Sequence, residues 1–218
     1  MAGMANLLEE VVFLAYRDDK GRNAAPYLQW SLAGAALLEL SLGGRVTVDD
    51  SGRVDVAGGT PFGDAAVDEA LTRLSGSRTR HIPSSWVQIL AGVDLRQRVL
   101  DGLVAHGVLA HERDRALGLI PVERHKPVDA GVEDEIRARL DRTFADGTGA
   151  GARTAALAGI VATTFMEPAA LPHAKTSAVT KAFGALADGF PEVRPFVDGT
   201  RLAMTLFRSG SGLVVVGS

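Results

Sequence analysis

The sequence predicts a mainly α protein, a single-domain helical bundle around a central buried helix, with small β-hairpins. Three observations predict it. Residues 27–42 are apolar almost all the way round, the pattern of a helix enclosed on every side. From Gly131 onward, Gly and Pro signals separate one helical segment from the next. Residues 45–49 and 53–56 alternate with a period of two around Asp50-Ser51-Gly52, as a hairpin does. No repeat or compositional break divides the 218 residues, so one domain over 1–218 is expected.

In chain order, Leu8, Val11, Val12 and Ala15 recur at helical spacing, which predicts an amphipathic helix over 6–17 with Asn6 as its N-cap. Asp18 to Arg22 reads as a turn. The central helix over 27–42 carries Ala33, Gly34, Ala35 and Ala36 in its interior, small residues that let neighbouring helices approach closely. The first hairpin is expected near 44–57 and a helix over 64–74, capped by Asp64. Ser75 to Ser85 reads as a polar loop, and a further helix runs from about Asp94 to His106, stopping at Gly107. A second hairpin is expected over 108–123, turning at Arg113-Asp114. Helices then follow over about 131–146, 152–165, 169–188 and 193–207, and 210–218 reads as a frayed tail or an added edge strand.

Composition narrows the function classes. Apolar residues make up 46% and charged residues 22%, which excludes a disordered or fibrous chain. The net charge of −3 offers no global field for nucleic acid. Cysteine is absent, so disulfides, thiolate metal sites and a Cys nucleophile are excluded together. The first helix is interrupted by Glu9 and Glu10 and has no basic flank, so it reads as neither a signal peptide nor a membrane span, and a cytoplasmic protein is expected.

Candidate chemistry is sparse. Asp64, Asp68 and Glu69 share a helix start, where a cap and the helix dipole account for acids. Glu39 lies amid LLELSL and needs a partner, either a structural ion pair or a catalytic one. The histidines at 81, 106, 111, 125 and 173 form no zinc spacing, and no phosphate loop or nucleophile elbow is present. Positive charge gathers between Arg78 and Lys126, locally +3 against −6 elsewhere, which permits an anion-binding face or simply a solvated surface. On the 94–106 helix, Arg96 falls within the apolar arc of Leu95, Val99, Leu100 and Leu103, whereas Arg98 falls opposite. An inward-aimed Arg needs an anion, either a carboxylate such as Glu39 or a ligand phosphate.

Four ordered stretches, LLEEVVFLAYRDDKGR, LAGAALLELSLGGRV, TPFGDAAVDEAL and LVAHGVL, resemble the Golgi phosphoprotein 3 family, also called the GPP34 or yeast vacuolar-sorting protein 74 family. The composition, with 33 Ala and 19 Arg to 4 Lys, resembles its actinobacterial members. The resemblance implies a helical, non-enzymatic domain without a cofactor, peripheral to membranes, whose eukaryotic members bind phosphatidylinositol 4-phosphate. The family's head-group pocket uses a Trp, a helix Arg and a pair of Arg. These positions fall here on Ala24, Ala33, Val93 and Arg96, and Trp30 comes too late in the helix to replace the first. The family's membrane hairpin has an apolar tip, whereas HERDRALGL is charged, which favours electrostatic contact. The basic tail preceding the first helix in eukaryotic members has no counterpart in MAGMA.

The function expected is therefore a peripheral module for an anionic lipid or phosphate head group, at the inner face of a membrane. Its site is expected to comprise Arg96, Arg98, Arg113 and Arg115, with Arg96 reaching a surface depression beside the others. The alternative is a protein-interaction scaffold without lipid binding, pairing with a partner or with itself through the 108–123 hairpin. No nucleic acid or metal partner is expected.

Overall fold

Glu39 shows how the bundle is organised. Its carboxylate sits near the end of α2 (Leu28–Leu42) and accepts the amide of Leu7, the first residue of α1 (Leu7–Ala15), at 2.7 Å. The two helices therefore run antiparallel. A computed structural model describes residues 5–17, 22–116, 120–128, 131–146 and 151–210. The tail expected at 210–218 lies, from 211 on, outside the described residues.

Local signals set most element starts. Asn6 caps α1 through a capping box: its side chain accepts the amides of Leu8 and Glu9, and Glu9 accepts the amide of Asn6. Tyr16–Arg17 (β1) and Arg22–Asn23 (β2) pair antiparallel across the expected turn, of which 18–21 lie outside the described residues. The first hairpin pairs β3 (Val46–Val48) with β4 (Val54–Val56), Val46 opposite Val56 and Val48 opposite Val54. Asp49 closes its turn by accepting the amides of Ser51 and Arg53, and Gly52 supplies the left-handed residue, φ 76°. Asp64 caps α3 (Ala65–Gly76) and Asp94 caps α5 (Leu95–Ala105).

The structure corrects three expectations. The polar loop ends at Ile82, where α4 (Pro83–Ala91) begins; Pro83 occupies the first helical position, which needs no amide proton, and Trp86, Val87 and Leu90 face the core. The second hairpin does not turn at Arg113-Asp114. Strands β5 (Leu109–Ala116) and β6 (Ile120–Pro127) are longer, with Arg113 opposite Glu123 and Glu112 opposite Arg124. A strand ladder is made by backbone amides and carbonyls, which polar residues carry as well as apolar ones, so polarity alone does not mark a turn. After α6 (Gly131–Asp146) and α7 (Ala152–Thr163), the helix expected over 169–188 is split into α8 (Glu167–Ala170) and α9 (Thr176–Leu186), followed by a 3₁₀ turn at Ala187–Gly189. Pro172 lacks an amide proton and holds Leu171 out of helical geometry, φ −131° and ψ 71°. The last helix is α10 (Arg194–Arg208).

One hydrophobic core joins these elements, with α2 at its centre; Leu32, Leu37 and Leu40 are fully enclosed. Small residues set the helix spacing. A Cβ on Gly34 would stand 2.7 Å from Ile160 Cδ1 of α7 and 2.7 Å from Thr200 Oγ1 of α10. Gly199 of α10 likewise admits Pro83 of α4. Buried hydroxyls are satisfied locally: Ser31 donates to Thr164, and Thr200 to the Phe196 carbonyl.

Candidate functional site

The acidic candidates are absorbed by structure. Glu39, 5% exposed, is held by Arg153 at 3.2 Å. Arg153 also reaches Glu10 of α1 at 3.4 Å and the Ala5 carbonyl, and Arg139 of α6 binds Glu10 at 2.7 Å. Burial pushes the Glu10 carboxyl above its ordinary value of 4.5, against the opposing pull of Arg139 and Arg153. Asp64 caps α3 and also accepts the side-chain amide of Asn6 at 3.1 Å. Asp68 accepts the amides of Phe62 and Gly63. Glu69 binds Arg73 and Arg98, and the Arg73 hydrogen bond holds its carboxyl below the usual carboxylate value.

Arg96 behaves differently. It is exposed at the start of α5 rather than turned into the apolar arc. Its long side chain lies against Tyr16 and keeps the charged head in water, while Leu95, Val99 and Leu100 fill the core. Its Nε donates to the Tyr16 hydroxyl at 2.8 Å, and the guanidinium carbon lies 5.9 Å from the centre of that ring. Neither Nη atom has a carboxylate partner among the described residues. Glu39 and Asp64 do not enclose it.

The expected arginine cluster is only partly assembled. Arg98 turns to Glu69 at 2.9 Å and does not converge with Arg96. Arg113 and Arg115 lie within β5, not at a turn, and their side chains fall outside the described residues. Of the positions matched to a head-group pocket, Ala33 is fully buried in α2, Ala24 is exposed and Val93 is half-buried.

The same end of the molecule carries a feature that sequence reasoning missed. Because α1 and α10 both run antiparallel to α2, their last residues meet its first turn. Trp30 and Phe207 have ring centres 4.7 Å apart, Tyr27 stands 6.1 Å from Phe207 and 5.8 Å from Phe165, and Arg208 lies over Phe165 at 4.3 Å. Ser31 and Thr164 join the end of α7 to this face. Phe165 is 37% exposed and Phe207 44%. Aromatic residues separated by up to 180 positions gave no local signal of a shared face.

The fold and site together define a mainly helical, single-core protein in which Glu10, Glu39, Asp64 and Asp68 serve the scaffold, while Arg96 and Arg208 lie against aromatic rings with no carboxylate partner among the described residues. The family model for Golgi phosphoprotein 3 (GPP34) matches residues 7–199, and the chain belongs to that family. It is similar to the vacuolar protein sorting-associated protein 74 of Eremothecium gossypii, at 30% identity over 62% of this chain and 47% of that protein. The chain thus spans about half the length of this curated relative. No helix among the described residues is long and apolar enough to cross a membrane.

Proposed function

We propose that this chain is a peripheral, non-enzymatic module that binds an anionic lipid or phosphate head group at the end of the bundle holding Arg96. One observation carries the reading: Arg96 is exposed, is oriented by Tyr16 through Nε, and has no carboxylate on either Nη among the described residues, which leaves both for an external anion. Arg113 and Arg115, on the strand that follows α5, add positive charge to the same stretch. Arg98 contributes less, because Glu69 already neutralises it. The finer ligand implied by the family resemblance is phosphatidylinositol 4-phosphate. With Ala24, Ala33 and Val93 at the other matched positions, recognition rests on charge more than on head-group identity.

This reading places the protein in the cytoplasm, at the inner face of a membrane. Flotation with phosphatidylcholine vesicles, with and without an anionic lipid, tests it. Binding is expected only to the anionic vesicles, to fall steeply with added salt, and to weaken in Arg96→Ala without loss of fold. Equal flotation of Arg96→Ala and wild type overturns the assignment of Arg96. No flotation at low salt favours the rival reading, a protein-interaction scaffold working through the β5–β6 hairpin.

A further inference from the structure

Between the end of α7, α9 and the last turns of α10 lies a pocket of about 320 Å³, at the small end of the range for small-molecule sites, ~300–1,000 Å³. Ala162, Met204 and the Phe165 ring make its lining largely apolar. Three threonines also line it, but their hydroxyl protons are already committed. Thr163 donates to the Gly159 carbonyl, Thr205 to the Arg201 carbonyl, and Thr180 to Glu167 or the Thr176 carbonyl. Glu167 itself lies behind Thr180 and does not line the pocket. The donors left for a guest are therefore guanidinium groups.

Arg201 gives one nitrogen to Asp198 at 2.6 Å and retains the rest. Arg208 has no carboxylate partner among the described residues and lies over Phe165; a guanidinium over a ring keeps its N–H donors free for a planar anion. Phe165 is the one non-glycine residue with positive φ among those described, at 60°. A bulky side chain is uncommon in that conformation, and the ring it carries is left partly in solvent. The conformation belongs to the cap that closes α7, where the Met166 amide reaches back to the Val161 carbonyl at 3.1 Å as in a Schellman motif, and that cap fixes the ring at the rim of the pocket.

We infer that this pocket binds a small amphiphilic anion, a carboxylate or phosphate monoester carrying a short alkyl or aryl group. The apolar part lies against Phe165 and Met204, and the oxygens meet Arg208 and Arg201. The inference does not rest on Arg96 or on the membrane reading.

Calorimetric titration of the full chain with octanoate, octanol and inorganic phosphate tests it. Octanoate is expected to bind saturably, and octanol and phosphate each at least about tenfold more weakly, since each lacks half of the recognised chemistry. Arg208→Gln should weaken octanoate by about tenfold or more with an unchanged thermal midpoint. Phe165→Asn, which tolerates the left-handed backbone, should weaken it as well, while Arg96→Ala should bind octanoate as wild type does. Octanol binding as tightly as octanoate, or Arg208→Gln binding octanoate undiminished, overturns the inference. Vesicles containing lysophosphatidate distinguish the source once octanoate binding is lost in Arg208→Gln. A parallel loss of vesicle binding assigns a membrane lipid, and retention assigns a soluble anion.

Discussion

At the end of α2, two buried carboxylates and two partly buried guanidiniums close on one another: Glu10 and Glu39 with Arg139 and Arg153. At the start of the same helix, Arg96 and Arg208 rest on aromatic rings, with no carboxylate beside them among the described residues. The residue types are alike, and the pairing is opposite. A desolvated charge must be matched internally, because removing it from water costs several kcal/mol, whereas a surface guanidinium stays hydrated and keeps donors for a visitor. The closed end is therefore scaffold, and the open end is where a ligand is to be sought.

Breaking the closed end should have the largest effect. Arg153→Ala removes the group shared by Glu10, Glu39 and the Ala5 carbonyl, and is expected to cost about 3–5 kcal/mol in urea denaturation. A loss below about 1 kcal/mol would show that the two carboxylates are adequately held without it. Gly34→Ala, midway along α2, forces a methyl group against Ile160 and Thr200. It is expected to cost about 1–3 kcal/mol and to lower the thermal midpoint, because both neighbours belong to packed helices.

Acidity sharpens the contrast more gently. The Glu10 carboxyl is raised above 4.5 by burial, so in the window between 4.5 and its folded value the native state binds more protons than the unfolded chain. Ionised Glu10 therefore costs stability at neutral pH, and that cost fades as pH falls through the folded value. Glu69, lowered by Arg73, works in the other direction: its contribution is present above 4.5 and is lost as pH falls through its depressed folded value. Urea midpoints of wild type and Glu10→Gln across this range should show the variant's response to acidification losing the Glu10 component; parallel curves would refute the shift. The smallest change in stability is expected at the open end. Arg96→Ala should move the unfolding free energy by no more than about 0.5 kcal/mol, as for an exposed residue, while vesicle flotation registers its loss. Unfolding of that variant would make Arg96 a structural residue.

Much of the scaffold was legible in local sequence. The apolar surround of 27–42 marked the central helix, Asn6, Asp64 and Asp94 marked helix starts, and Asp50-Ser51-Gly52 marked the first hairpin. These are interactions within a few residues, so composition and spacing carry them. The need of Glu39 for a partner was also legible, because an acid in an apolar helix demands one. Which partner was not: Arg153 lies 114 positions away. Nor was the outward turn of Arg96 legible, or the capture of Arg98 by Glu69, or the left-handed Phe165 that places its ring beside Arg208. Those were decided only when α1, α7 and α10 closed on α2, since periodicity assigns a side chain to a face of its own helix and says nothing of the charge, ring or open solvent that another helix brings to meet it.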